Sequence, residues 1–275
     1  MKIKQFLIEK SNVIRQIILI CLFVIFITVL WAIPLYIPKS PEKSYNSKLK
    51  VDRSKIIIAI DIGHSKKAVG AISSRGYEEF YFNLSIAKLL HKELLRQGYT
   101  KSFLINEAGE SVCLTERVQM AEQSLANLFI SIHHDSVQPH YLESWDFKGK
   151  QRLYCDLYAG YSLFYSQKNK EANKSFIFAT LLGRVLRNNE FIPTLHHAEP
   201  IKGENRALID KYLGVYQVDD FTVIKIPKMP AILIECGIIV NRDEEILLTN
   251  PVYKKMLVTS IVTAIEVAYR DRFFQ

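Results

Sequence analysis

The sequence is poor in glycine and proline, with 11 Gly and 9 Pro among 275 residues, and it contains only four cysteines. Because 49% of the residues are hydrophobic and 23% are charged, this composition excludes a collagen-like or disordered chain. A chain of this length can bury a sizeable core, which excludes a disulfide-stapled miniprotein. The sequence also lacks internal repeats, low-complexity tracts and a compact HExxH motif. It therefore predicts one large folded domain, or two small ones.

The net charge of +8 is concentrated at one end of the chain. Residues 1–55 carry ten Lys or Arg against three Asp or Glu, a net charge of +7. The remaining 220 residues carry 26 bases against 25 acids, a net charge of +1. Nucleic-acid binding requires a basic surface on the folded part of a protein. The near-neutral remainder therefore argues against a nucleic-acid partner.

Charged residues are absent between residues 16 and 38, where the sequence is almost continuously apolar. A run of this length can cross a hydrocarbon core about 30 Å thick, so it predicts a transmembrane signal anchor. A cleaved signal peptide and a buried soluble helix are the alternatives. The run is long for a signal peptide, and residues 31–34 (WAIP) form a poor cleavage site.

Four basic residues precede this run, namely Lys2, Lys4, Lys10 and Arg15. By the positive-inside rule they keep residues 1–15 in the cytoplasm, although the lysines after residue 38 weaken the bias. The prediction is a single-pass protein of the inner (cytoplasmic) membrane. The remainder of the chain then lies on the periplasmic or other extracytoplasmic side.

Residues 39–54 are polar, lysine-rich and aperiodic, which is typical of a linker. After the linker, short apolar runs alternate with longer amphipathic segments. The runs predict strands at 55–60, 102–106, 127–132, 161–166, 221–224 and 231–234, and the amphipathic segments predict helices at 79–97, 115–126, 174–188 and 252–270. The predicted fold class is α/β: a single domain at 55–275 with a mostly parallel twisted sheet flanked by helices, preceded by the transmembrane helix.

Side chains that bind metals or transfer protons lie at the ends of three predicted strands. His64 follows the first strand, His133 ends another and Glu235 ends a third. The carboxyl ends of parallel strands share one edge of a sheet, so we expect these side chains to converge there. Glu79 begins the first helix, close behind the His64 loop. Two histidines and two carboxylates suit zinc hydrolysis, in which three protein ligands hold the metal and a further group acts as general base.

Five segments of the chain together resemble the zinc-dependent N-acetylmuramoyl-L-alanine amidases, which are cell-wall hydrolases. Their order and spacing extend over about residues 55–270. The segments are GHSKKAVGA (Gly63 to Ala71), Glu79 eight residues before Ala87 of LSIA, LTERVQMA (Leu114 to Ala121), SIHHD (Ser131 to Asp135) and PAILIECGIIVN (Pro230 to Asn241).

The resemblance implies that His64, Glu79 and His133 bind Zn²⁺ and that Glu235 is the catalytic acid/base. It implies hydrolysis of the amide bond between N-acetylmuramic acid and L-alanine, with peptidoglycan as the substrate. A zinc peptidase acting on stem peptides, or a catalytically inactive glycan-binding regulator, is the alternative function. The sequence identifies no particular protein activator.

The chain departs from the family pattern next to the expected ligands. Glu78 stands beside Glu79, and only the distance to Ala87 favours Glu79. His134 and Asp135 replace the Ala-Asn of the family. His134 is a candidate extra ligand or hydrogen-bonding group, and Asp135 is a candidate for orienting a ligand, binding the peptide or forming a structural hydrogen bond.

Other polar residues carry weaker predictions. Arg117 is expected to form a structural ion pair, and Arg206 either clamps a peptide carboxylate or forms a salt bridge on the surface of a helix. Residues 138–152 form either a groove wall or a surface loop. His196 and His197 are expected to face solvent. A disulfide between Cys113 and Cys155 is the one pairing that an oxidising compartment would permit in the exported part.

Overall fold

The computed structural model describes residues 51–271. Six helices are present in this part of the chain: α1 (Glu79–Arg96), α2 (Leu114–Gln123), α3 (Ala172–Asn188), α4 (Thr222–Lys225), α5 (Arg242–Thr249) and α6 (Pro251–Arg270). The strands are β1 (Ile58–Ile62), β2 (Phe103–Ile105), β3 (Leu128–Asp135), β4 (Glu143–Phe147), β5 (Lys150–Tyr154), β6 (Ser162–Tyr165), β7 (Ala207–Asp210), β8 (Val215–Gln217) and β9 (Ala231–Ile238).

Seven of the strands form one sheet in the order β2-β1-β3-β9-β6-β8-β7. The four strands β2, β1, β3 and β9 are parallel to one another. Strand β6 is antiparallel to β9, while β8 is parallel to β6 and β7 antiparallel to β8. The predicted α/β domain with a mostly parallel sheet flanked by helices is confirmed.

Both faces of the central strands are covered, which explains their continuous apolar sequences. Alternate residues of β1 point to opposite faces. Ile58, Ile60 and Ile62 join the larger core cluster with residues of α1, α3 and α6. Ala59 joins the smaller cluster on the other face, which includes Val223 and Ile224 of α4.

Two asparagines fix the chain after β9. The Asn241 side chain accepts hydrogen bonds from the backbone N–H groups at the start of α5, and Asn250 does the same for α6. These caps satisfy donors that a helix start leaves without partners, and Pro251 suits the first turn because that position needs no N–H donor. Helix α6 is thereby directed back across the larger core.

The structure corrects one predicted element and adds five that were not predicted, namely β4, β5, β7, β8 and α5. Residues 221–224 were predicted as a strand, but residues 222–225 form the single turn α4, because Val223 and Ile224 bury their side chains from a helical turn. Residues 138–152 contain β4 and the beginning of β5, which pair as a separate two-stranded hairpin. Helix α5 was not predicted.

No helix between residues 51 and 271 is long and apolar enough to cross a bilayer. The transmembrane helix predicted at residues 16–38 lies outside the residues that the structure describes. So do the cytoplasmic segment predicted at 1–15 and most of the linker predicted at 39–54.

Candidate active site

The parallel order of β1, β3 and β9 brings their carboxyl ends to one edge of the sheet. His133 on β3 lies directly opposite Glu235 on β9 in the strand register. Gly63 follows β1, and its N–H donates to Ile132 O at 3.0 Å, so the chain leaving β1 stays beside β3. His64 comes next and has a positive φ of 67°, which turns the chain away from the sheet at this point.

His64, Glu79 and His133 form a compact group at this edge. His64 Nε2 lies 3.0 Å from Glu79 Oε2, and His133 Nδ1 lies 3.2 Å from Glu79 Oε1. One donor atom from each residue falls within 4.8 Å of the others, so the three could hold a metal ion. The neighbouring Glu78 is not part of this group.

Glu79 is the centre of the group and is 4% exposed. Its carboxylate accepts hydrogen bonds from the Ala71 N–H at 3.0 Å and from Asn83 Nδ2 at 3.1 Å. Burial by itself raises the pKa of the Glu79 carboxyl, but hydrogen bonds to His133 and His64 and their charge hold it well below its usual range. The carboxylate is therefore ionised and oriented, as a metal ligand must be.

Two glycines make the close packing of the group achievable. A Cβ atom at Gly63 would lie 2.4 Å from the His133 ring, and one at Gly70 would lie 2.3 Å from Glu79 Oε2. Gly70 also has a φ of +79°, which side chains rarely adopt. The loop between β1 and α1 therefore depends on glycine to approach the ligand side chains this closely.

A buried ion pair holds the turn at His64 in place. Arg117 on α2 pairs with Asp61 on β1 at 2.8 Å, which confirms the predicted structural ion pair. Arg117 also donates to the carbonyl of Ile62, and its Nη2 donates to His64 O at 2.6 Å. Asn106 Nδ2 donates to the same His64 oxygen at 2.9 Å. The backbone of His64 is thus held from two directions.

Glu235 faces the same edge, outside the His/Glu/His group. The residue is half-buried, but its Oε2 atom is buried and has no hydrogen-bond partner. Burial, followed by the negative charges of Asp135 and Glu79, raises the pKa of Glu235 well above its ordinary value, while Arg206 opposes this effect. A carboxyl in this setting holds a proton more readily than an exposed one, which suits proton transfer.

The donor set of the group fits zinc. Two imidazole nitrogens and one carboxylate oxygen are a common set of protein ligands for catalytic zinc, which keeps a further position for substrate or water. The hydrogen bonds to Glu79 supply the orienting contacts that such ligands need. A cavity of about 280 Å³ opens beside the group and is lined by His64, His133 and Arg117 among others.

His134 is directed away from this group. It is 2% exposed, its Nδ1 lies 2.8 Å from Asn83 Oδ1, and its ring contacts Phe82. Burial lowers the pKa of His134 to about 3, so the ring is neutral. His134 therefore supports Asn83 through a hydrogen bond and is not part of the His/Glu/His group.

The prediction that His196 and His197 face solvent is wrong. They are 3% and 8% exposed, and both lie against Asp135 at the end of β3. The sequence carried one signal for Asp135. Residues two apart on a strand lie on the same face, so Asp135 could be expected on the same face as His133. Nothing local to residues 196 and 197 indicates that the fold brings them to this strand.

Arg206 is not on a helix. Its guanidinium stacks over Phe221 at 4.6 Å and lies 3.6 Å from Asp220, so the surface salt bridge is the alternative that the structure shows.

The disulfide predicted between Cys113 and Cys155 is absent from the described residues, where both thiols are free. The β4–β5 hairpin lines a second cavity of about 360 Å³ through Ser144 and Arg152, and so acts as a cavity wall.

The fold and this site define a class: a single α/β domain with a His/Glu/His group and a carboxyl at the carboxyl edge of its parallel strands. The family model for N-acetylmuramoyl-L-alanine amidases matches residues 58–267. The chain belongs to this amidase family. The family resemblance and the enzyme class predicted from the sequence are thereby confirmed.

Individual relatives agree with this assignment. A putative N-acetylmuramoyl-L-alanine amidase of Buchnera aphidicola subsp. Baizongia pistaciae is 28% identical over 232 residues, which cover 80% of this chain and 99% of the relative. The amidase AmiA of Salmonella typhimurium is 24% identical, over 79% of this chain and 78% of the relative.

Solved structures share the fold. The amidase AmiC2 of Nostoc punctiforme superimposes with a TM-score of 0.57 at 23% identity, covering 78% of this chain and 97% of that one. The amidase Ami1 of Mycobacterium smegmatis gives a TM-score of 0.61 at 18% identity, covering 77% and 95%.

Proposed function

We propose that this chain hydrolyses the amide bond between N-acetylmuramic acid and L-alanine in peptidoglycan, with His64, Glu79 and His133 holding a zinc ion and Glu235 as the catalytic acid/base. The observation that carries the proposal is the convergence of these side chains at one sheet edge, in a chain of the amidase family.

Each residue has a distinct task in this mechanism. His64, Glu79 and His133 bind the ion, and the hydrogen bonds from Asn83 and the Ala71 N–H keep Glu79 in place. When bound, zinc supplies Lewis-acid activation of the scissile carbonyl and of water. Arg117 fixes the His64 backbone by donating a hydrogen bond to the His64 carbonyl.

Glu235 moves the proton. Its carboxylate takes a proton from the attacking water while the water oxygen bonds to the carbonyl carbon. The same carboxyl then gives the proton to the alanine nitrogen as the carbon–nitrogen bond breaks. Burial and the nearby carboxylates raise the pKa of Glu235, so it can retain the proton between these two events.

The test is metal removal followed by product analysis. Chelator treatment should abolish release of stem peptides from purified peptidoglycan, and added zinc should restore it. Activity that is indifferent to the chelator would refute the zinc proposal. Activity that requires zinc but cuts within the stem peptide would identify a peptidase.

We also propose that residues 16–38 anchor the protein in the cytoplasmic membrane with the catalytic domain outside. The support is the uncharged apolar run and the basic residues before it. Protease added to spheroplasts should degrade the catalytic domain, and alkaline carbonate should leave the full-length chain in the membrane pellet. Release by carbonate, or protection from protease, would contradict the anchored topology.

A further inference from the structure

A second group of metal-ligand side chains lies beyond His133 on the same strand. It consists of Asp135 at the end of β3 and of His196 and His197, which lie in a short helical turn between α3 and β7. One donor atom from each of the three falls within 4.8 Å of the others. The two imidazole rings are close, with centroids 3.9 Å apart.

Each histidine is oriented through its Nδ1 atom. His196 Nδ1 lies 2.8 Å from the Thr194 hydroxyl, and His197 Nδ1 lies 2.8 Å from Glu204 Oε2. This leaves both Nε2 atoms directed at one oxygen, Asp135 Oδ2, at 3.3 Å and 2.7 Å. A histidine that binds a metal through one ring nitrogen usually has its other nitrogen fixed by a carboxylate or other polar group.

The carboxylate of Glu204, which orients His197, has a hydrogen-bond partner of its own. Gln138 Nε2 donates to Glu204 Oε1 at 2.7 Å, so the carboxylate that orients His197 is itself held. A chain of polar contacts thus links the loop after β3 to the segment that carries both histidines. This is the arrangement expected around a bound ion, in which ligands and their supports are both fixed.

The three atoms that face one another are buried, and their close contacts, including 2.7 Å between His197 Nε2 and Asp135 Oδ2, lack hydrogen-bond geometry. Asp135 Oδ2, His196 Nε2 and His197 Nε2 have no hydrogen-bond partner of acceptable geometry, although they lie close together. Buried polar atoms normally have partners, because an unpartnered one costs about 1–3 kcal/mol. A shared cation would satisfy all three atoms at once.

We propose that Asp135, His196 and His197 bind a second divalent transition-metal ion, separate from the ion proposed at His64, Glu79 and His133. Two imidazoles and one carboxylate select such an ion over Mg²⁺ or Ca²⁺, which prefer oxygen ligands. The ion fastens residues 194–204 to the end of β3, beside the strand that carries Glu235. The site stands on its own donors and does not depend on the amidase reaction.

The test measures zinc per chain in the full-length protein. The protein is stripped with a chelator, exposed to a small excess of Zn²⁺, passed through a desalting column and analysed by mass spectrometry of the metal. The wild-type chain should retain two zinc ions. The H196A/H197A variant should retain one, and the H64A/H133A variant should also retain one. His140→Ala removes an exposed histidine outside both groups and should retain two.

Asp135→Asn is the second variant, because it keeps the shape of the side chain while removing the charge that a cation needs. Its circular dichroism should match wild type, and it should bind one zinc ion fewer even if H196A/H197A fails to fold. A wild-type zinc content that H196A/H197A does not lower would overturn the proposal, whether or not the His64, Glu79 and His133 group also binds zinc. So would two ions that persist in Asp135→Asn, and in that case His197 is a protonated bridge between Asp135 and Glu204. If only H64A/H133A loses zinc, the result supports the ion proposed at His64, Glu79 and His133 and contradicts the second site.

Discussion

Replacing Glu235 by glutamine should reduce turnover by orders of magnitude while leaving the fold and the bound metal intact. The amide has nearly the same shape as the carboxyl but cannot carry a proton from water to the leaving nitrogen. General acid/base catalysis typically contributes 10²- to 10⁴-fold, so kcat should fall by about that factor, or about 3–5 kcal/mol in activation free energy. Glu235 Oε2 has no hydrogen-bond partner to lose, so the thermal midpoint should change little.

The assay follows the release of stem peptides from purified peptidoglycan, together with zinc content and thermal unfolding. Glu244→Gln is a matched control, since Glu244 is a buried glutamate that lies outside the His/Glu/His group. Its kcat should stay near the wild-type value. If Glu235→Gln retained a near-normal rate, another residue would have to move the proton. If it lost zinc, Glu235 would be acting as a ligand.

The remaining predictions concern stability and the support of the site. Burial raises the pKa of Glu244 from 4.5 to about 7. The Glu244 carboxyl therefore holds its proton more tightly in the folded state than in the unfolded state. About 3 kcal/mol of unfolding free energy should be lost as the pH rises from 4.5 to about 7. Urea unfolding measured across this pH range should show the loss in wild type and not in Glu244→Gln. Gly70→Ala should reduce kcat/KM by about 10²-fold and weaken zinc binding, because the new Cβ meets Glu79. Gly149→Ala, with a similar φ of +76° but nothing within 4 Å, should retain activity. Equal losses in both variants would show that contact with Glu79 is not the cause. Arg117→Met should cost about 3–5 kcal/mol in unfolding free energy by leaving its carboxylate partner buried without a countercharge, and a loss below 1 kcal/mol would contradict that role.

The parallel part of the fold could be predicted because its signals are local. The apolar sequences of β1, β3 and β9 require burial on both faces, and the residues that end them follow directly in the chain. His133 and Glu235 could therefore be assigned to one edge before their register was known. Glu79 was chosen over Glu78 by its distance to Ala87 in the family pattern, and the structure places it at the start of α1.

The missed features depend on contacts between distant segments or on turn geometry. His196 and His197 are buried and lie against Asp135, about 60 residues earlier in the chain. The β4–β5 hairpin turns at Lys148 and Gly149, which have φ values of 54° and 76°. A two-residue turn with positive φ at both positions is typical of hairpins, so the glycine was a usable signal. The short apolar run at α4 predicted a strand because four residues cannot distinguish the two periods.

The most direct test of the central claim is mass spectrometry of the products that zinc-loaded protein releases from purified peptidoglycan. We expect intact stem peptides with a free N-terminal alanine, no such peptides after chelation, and a yield reduced at least about 10²-fold from Glu235→Gln. Fragments cut within the stem peptide, or the same alanine-terminated peptides from metal-free protein, would contradict it.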